Sequence, residues 1–153
     1  MSSELPRTGR LAAIDYGTVR LGVAISDPDQ RLASPLENYT RRGDVADAAW
    51  LTDLVKNERI VGIVVGLPVH TSGDESQKSR EARKFGQWVH ERTGLPIVFF
   101  DERYTSAQAE ALLLDAELTK KRRKQRLDKL AAQILLAAYL ESSRESEKAL
   151  PLD

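Results

Sequence analysis

LAAIDYGTVRLGVAIS, residues 11–26, holds two short apolar runs with a brief polar break between them. The first ends at Asp15 and Tyr16, and the second runs from Val19 to Ser26 with Gly22 inside it. Only Gly17 and Thr18 separate them, a spacing that predicts a tight β-hairpin with strands over 11–16 and 19–26. A third extended stretch, RLASPLENY at 31–39, makes this opening an antiparallel meander.

Beyond the meander the periodicity changes. In residues 44–57, Val45, Ala48, Ala49, Leu51, Leu54 and Val55 recur at helical spacing behind a candidate cap at Asp44. IVGIVV at 60–65 is a β-branched run without alternation, the pattern of a strand covered on both faces in a parallel sheet, and it stops at Gly66-Leu67-Pro68. A polar loop leads into a helix over about 76–93, which Gly94 is placed to end. PIVFF at 96–100 is another buried strand and runs into Asp101-Glu102-Arg103. A helix over about 105–117, a basic segment, and a last helix over about 127–142, apolar on nearly every side, complete the pattern. The order β-β-β-α-β-α-β-α-α predicts an α/β fold: a mixed five-stranded sheet, three antiparallel strands then two parallel ones, flanked by helices. Residues 11–143 form this domain, after a flexible N-terminus at 1–10 and before a polar tail at 144–153.

A length of 153 residues suits one compact domain. The absence of cysteine excludes disulfides, zinc–thiolate sites and thiol nucleophiles. With two histidines, His70 and His90, any metal site must be built mainly from carboxylates, which favours Mg2+ or Mn2+. The opening residues carry no apolar signal-like stretch, and no apolar run approaches the roughly 18 residues that cross a bilayer, so a cytoplasmic protein without a membrane partner is expected. Lysine plus arginine and aspartate plus glutamate both number 23, giving zero net charge. The distribution is uneven, because Lys120, Lys121, Arg122, Arg123, Lys124, Arg126 and Lys129 crowd into one segment beside Asp128. Such runs are most often solvated surface, but this one adjoins a candidate site acid and suits a phosphate backbone.

The acids at strand ends carry the functional signal. Asp15 ends the first strand, Asp101 and Glu102 end the last, and Asp128 lies in the first turn of the apolar C-terminal helix. Carboxylates near a core are costly unless paired or bound to a cation, and acids converging on one sheet edge repel each other unless a divalent ion holds them. Taken singly, Asp15 also reads as a turn residue, Asp101 as a helix cap or a partner of Arg103, and Asp128 as a favourable charge at a helix start. Asp101 and Glu102 cannot face the same way on a continuing strand, and Glu102 is preferred as the ligand. His70 reads as a surface residue and His90 as structural or exposed; Trp50 and Trp88 read as packing residues, with no aromatic platform for stacking bases.

Together these segments resemble the YqgF family, also called RuvX, of pre-16S rRNA nucleases, relatives of the Holliday-junction resolvases in the ribonuclease H-like superfamily. The resemblance covers about residues 11–140. It rests on Ile14-Asp15-Tyr16-Gly17-Thr18 with Gly22-Val23-Ala24, on Val65-Gly66-Leu67-Pro68 with Gly73, on Asp101 through Ser106, and on Asp128 followed by Ala131, Ala132, Ile134 and Leu135. It implies a ribonuclease H-like fold and a divalent-metal-dependent endo- or exonuclease acting in 5′-end maturation of pre-16S rRNA. Asp15, the acid of the Asp101-Glu102 pair and Asp128 are then the catalytic acids, with Asp15, Glu102 and Asp128 on the metal. Arg103, Thr105 and Ser106 are implied near the substrate phosphate, and Lys120, Lys121, Arg122, Arg123, Lys124 and Arg126 along the nucleic acid. One departure is that residues 119–127 carry no glycine where relatives usually have one.

The implied partner is ribosomal RNA precursor, free or within a pre-ribosomal particle, with branched DNA as the alternative and a monomer or homodimer as the acting species. Resolution of four-way DNA junctions and non-catalytic RNA binding are the competing readings. The Asp15-Tyr16-Gly17-Thr18 hairpin also resembles the first phosphate-binding loop of actin-like ATPases, but those need two large domains and this chain has room for one.

Overall fold

The computed structural model describes residues 4–68, 77–102 and 130–142. Strands β1 (Arg10–Asp15), β2 (Arg20–Ser26) and β3 (Ala33–Thr40) are followed by helix α1 (Asp44–Glu58), β4 (Ile60–Leu67), α2 (Gln77–Thr93) and β5 (Ile97–Asp101). They form one five-stranded sheet in the order β3-β2-β1-β4-β5. β1 pairs antiparallel with β2 and β2 with β3, whereas β1–β4 and β4–β5 are parallel. The expected mixed sheet is therefore present. The helix expected over 105–117 lies outside the described residues.

β1 is central, with Leu11, Ala12, Ala13 and Ile14 all fully buried, because both faces of the sheet are covered. On one face Ala12, Ile14, Ile63, Val65 and Ile97 pack with Leu51 and Leu54 of α1 and Phe85 and Val89 of α2. On the other, Leu11, Ala13, Ala24 and Val64 pack with Ala132, Leu135, Leu136 and Leu140 of the helical segment 130–142. Each buried leucine contributes about 1.5–3 kcal/mol, which holds this segment to β1 and β2, more than a hundred residues earlier, and to β4. Its Gln133 side chain donates to the Ala33 carbonyl at 3.0 Å on β3, and its Tyr139 ring meets Phe100 of β5 edge-on at 6.2 Å. The segment thus spans the sheet from edge strand to edge strand. Pro35 is tolerated in β3 because that strand lies at the edge, where a missing N–H costs no ladder bond, and the β2–β3 register shifts beside it.

Several expectations change. The β1–β2 connection holds Tyr16, Gly17, Thr18 and Val19 in place of a two-residue turn, because the last residue of β1 is Asp15 and β2 begins at Arg20. Asp44 does not cap α1; Gly43 takes that position at φ 108°, without a side-chain cap bond, and Asp44 is the first helical residue. Val45, counted on the apolar stripe, is 88% exposed, and Asp47 takes the buried place. Within the N-terminal stretch, Leu5 is buried and Gln30 donates to the carbonyls of Pro6 and Gly9 at 2.8 and 2.9 Å. Gly94 ends α2 as expected, at φ 71°, with its N–H donating to the His90 carbonyl at 2.8 Å.

Candidate active site

The parallel strands β1, β4 and β5 all finish at one end of the sheet, and Asp15, Asp101 and Glu102 lie there. Asp15 is the last residue of β1 and pairs in register with Gly22 of β2. Ile14 pairs with Val65, so Asp15 lies beside Gly66 of β4. Side chains alternate along a strand. Leu11 and Ala13 point toward the helical segment 130–142, and Asp15 follows them on that face.

The same alternation separates Asp101 from Glu102. Ile97 and Phe99 pack on the α1/α2 face, which carries Asp101 with them. Val98 and Phe100 pack on the opposite face, and Glu102, immediately after β5, continues their side. A β-carbon placed on Gly66 would lie 2.5 Å from Glu102 Oε1 and 3.1 Å from Leu135 Cδ2. The Glu102 carboxylate therefore lies over the bare backbone of Gly66, between β5 and β1. Those two strands stand two interstrand spacings apart, about 9.6 Å. By reaching over the middle strand, Glu102 brings its carboxylate toward Asp15, while Asp101 is directed away.

Asp15 and Glu102 are half-buried and supply only hard oxygen donors. Such a pair fits magnesium or manganese; the chain has no thiolate, and among the described residues no imidazole stands at this edge to favour a softer metal. His90 is committed elsewhere, its Nδ1 lying 2.8 Å from the Leu95 carbonyl oxygen, which bears out its structural reading. Among the described residues no three metal-binding side chains cluster. Asp128 lies outside the described residues, as do His70, Arg103, Thr105, Ser106, Lys120, Lys121, Arg122, Arg123, Lys124 and Arg126.

Sequence reasoning missed a polar network beside the hairpin. Asp47 of α1 is 1% exposed and accepts bonds from the Tyr39 hydroxyl at 2.7 Å, the Arg42 N–H at 2.9 Å and Arg41 Nε at 3.2 Å. Burial works to raise its pKa, but the Arg42 N–H, the Tyr39 hydroxyl and Arg41 together hold it below the usual 3.8. The Tyr39 hydroxyl is pushed above its usual 10.0, by burial first and then by its bond to Asp47. Arg41 thereby becomes a fixed clip. Its N–H donates to the Val19 carbonyl at 2.9 Å, and its guanidinium donates to the Gly17 carbonyl at 3.4 Å. The available signal was an acid at the head of the Asp47-Leu51-Leu54 spacing, the true buried stripe of α1.

The same guanidinium carbon stands 5.7 Å from the ring centres of both Tyr16 and Phe85. Tyr16 and Phe85 lie 5.0 Å apart, and Phe85 and Trp88 5.8 Å apart at an interplanar angle of 28°. With Asp44, Glu81 and Lys84, these four residues line an open pocket of about 210 Å3. Tyr16 follows Asp15 directly, so the pocket adjoins the acid edge but opens on the α1/α2 face.

A family model described as RuvX, Holliday junction resolvase, matches residues 9–142. A protein of Rhodopirellula baltica, named provisionally as a pre-16S rRNA nuclease, is 54% identical over 139 residues, covering 91% of this chain and 80% of its own. Proteins of the same name from Koribacter versatilis and Paracoccus denitrificans are 38% and 39% identical, covering 87% and 92% of this chain and 87% and 89% of theirs. Among solved structures, Thermus thermophilus RuvC in complex with Holliday junction substrate superposes with a TM-score of 0.58 at 14% identity, covering 90% of this chain and 96% of that one. The yeast mitochondrial Holliday junction resolvase Ydc2 gives 0.54 at 10% identity, covering 96% and 84%. These two likenesses are of fold.

Proposed function

This chain belongs to the RuvX family, and on that premise we propose that it is a divalent-metal-dependent nuclease hydrolysing phosphodiester bonds in 5′-end maturation of pre-16S rRNA. The observation that carries the reading is the placement of Glu102 over Gly66, on the same face and at the same sheet end as Asp15. Two half-buried carboxylates from strands two positions apart, turned to one side, present the hard oxygen donors that a divalent cation takes. Asp15, Glu102 and Asp128 are the residues that hold it. A bound Mg2+ or Mn2+ supplies the positive charge that polarises a scissile phosphate and eases deprotonation of the attacking water.

The chain's own residues do the remaining work. Asp15, fixed by its pairing with Gly22, and Glu102, lying over Gly66, set the geometry of the site. Arg103, Thr105 and Ser106, which follow Glu102 in sequence, bind and orient the phosphate. The cations at 120–126 neutralise the backbone on either side, giving affinity that does not depend on base sequence. No helix among the described residues is long and apolar enough to cross a membrane, and the proposed place of action is the cytoplasm, where the precursor is made. The description of the matching family favours branched DNA as a second substrate, so four-way junctions belong in the same assay.

The test is incubation of the purified protein and its Asp15→Asn variant with a precursor rRNA fragment and with a four-way DNA junction, each with magnesium, manganese or a chelator. The expected result is RNA cleavage by the wild type that is lost with chelator and with Asp15→Asn. Symmetrical nicking of the junction with intact RNA assigns the protein to resolution. Salt-sensitive RNA binding without turnover under any metal would make it a non-catalytic RNA-binding factor.

A further inference from the structure

The pocket formed by Tyr16, Arg41, Phe85 and Trp88 has no part in holding the acids, and we propose that it receives one unpaired nucleobase of the strand bound at Asp15. The inference rests on the nucleic-acid reading above and adds a second contact to it. Tyr16 and Trp88 are half-buried rings at the pocket, and the buried Phe85 ring joins them as its floor, with adjacent centres 5.0 and 5.8 Å apart. The Arg41 guanidinium completes the wall at 5.7 Å from two of them. Aromatic rings and arginine planes are the surfaces on which splayed-out bases stack, independently of base identity. The volume of about 210 Å3 is below the roughly 300–1,000 Å3 of sites for drug-sized ligands, and it suits one planar ring system.

Charge decides between a base and its rivals. On the lining Asp44 and Glu81 balance Arg41 and Lys84, so the pocket has no net charge to draw a phosphate and suits a neutral planar base. The Asp44 and Glu81 carboxylates can accept bonds from amino and imino groups on a base edge. A cationic side chain from a protein partner is disfavoured, because Arg41 already occupies the cation position over Tyr16 and Phe85 and Lys84 stands at the same pocket. Arg41 is not free to leave, since Asp47 and the Gly17 carbonyl hold it. Position supports the same occupant. Tyr16 succeeds Asp15 in the chain while facing the other side of the sheet, so a strand whose phosphate reaches the acids can turn a neighbouring base into the pocket.

Trp88 reports directly on occupancy. Trp50 is the only other tryptophan, and Trp50→Phe keeps a ring against Tyr39, on which Trp50 stacks at 4.0 Å. In that background, with chelator present so that no cleavage occurs, end-labelled single-stranded RNA is titrated while dye anisotropy and Trp88 emission are followed together. The proposal expects saturable quenching of Trp88 that tracks the anisotropy, and loss of the quench when one nucleotide at a single position is made abasic. It also expects Trp88→Leu, checked for an unchanged melting profile, to weaken binding about tenfold. Binding with unchanged Trp88 emission overturns the pocket and leaves the nuclease reading standing. Absence of binding to RNA and to single-stranded DNA alike overturns both. Quenching by an arginine-rich peptide with none by RNA overturns the base and assigns the pocket to a protein partner.

Discussion

A β-carbon on Gly66 would lie 2.5 Å from Glu102 Oε1 and 3.1 Å from Leu135 Cδ2, so Gly66→Ala cannot be accommodated without moving the carboxylate, the leucine or both. Glu102 is the easier to move, because it is half-buried whereas Leu135 is 2% exposed in a packed layer. The expected result is a fall in nuclease turnover of about 100-fold, the scale at which an ångström of misplacement acts on a catalytic group. Stability should fall by only about 1–2 kcal/mol, a modest overpacking cost. Urea denaturation and single-turnover cleavage separate the two effects. In a Glu102→Ala background the clash is relieved, so Gly66→Ala should then cost less stability than it does alone. If the two substitutions add without coupling, Glu102 does not occupy the space above Gly66.

At the scale of elements, the join between β3 and α1 depends on one buried acid. Asp47 ties Tyr39 at the end of β3 to Arg41 and Arg42 in the connection, and through Arg41 to the β1–β2 turn. Asp47→Ala leaves a buried tyrosine hydroxyl and an arginine without their acceptor, which should cost about 3 kcal/mol in urea denaturation. The network also sets a pH dependence with a definite sign. The Asp47 pKa is depressed in the folded protein, so its stabilisation is present above the ordinary carboxylate value of 3.8 and is lost as pH falls through the lower folded value. Tyr39 is shifted the other way, so its part is complete below 10.0 and is lost as pH rises through the higher folded value. Denaturation midpoints for wild type and Asp47→Ala should therefore converge toward strong acid, and convergence at neutral pH instead would remove Asp47 from the account. Periodicity alone made the existence and length of α1 legible. It placed Leu51, Leu54 and Val55 on the core side but misread the start of the stripe, taking Val45 for Asp47, because an acid counts as exposed in any hydrophobic pattern and only its three hydrogen bonds make Asp47 a core residue. The Asp44 cap failed for a related reason: Gly43 reaches φ 108° with no side chain to bond, and a backbone conformation of that kind leaves no apolar signature.

Across the whole molecule, element order was readable because helical and strand periods alternate cleanly, and that order alone brings the ends of β1, β4 and β5 to one edge. The facing of individual acids was less accessible. Strand alternation in the sequence tells only that Asp101 and Glu102 face opposite ways; which of them faces Asp15, and the seat above Gly66, depend on registers between strands remote in sequence. The aromatic pocket was missed because Tyr16 comes from a turn read as strand, and Phe85 and Trp88 come from a helix 69 residues further on when counted from Tyr16 to Phe85. The charge distribution is legible in the sequence and bears on how substrate is held. Positive and negative side chains balance at 23 each, yet Lys120, Lys121, Arg122, Arg123, Lys124 and Arg126 fall within seven positions. A neutral molecule with diffuse charge should bind RNA weakly and with little salt dependence. One with a concentrated run should lose affinity steeply as salt rises, because each phosphate it neutralises releases counterion. Replacing Lys120, Lys121, Arg122 and Arg123 with glutamine should flatten the plot of log affinity against log salt. On a single strand the change is up to about 0.7 for each phosphate no longer neutralised, or about 3 for all four cations. Anisotropy titrations in chelator over a range of salt measure that slope without cleavage. An unchanged slope would mean that the run stays in solvent and that phosphate is held by other cations. A reduced slope with cleavage still dependent on Asp15 would separate the surface that holds the strand from the edge that cuts it.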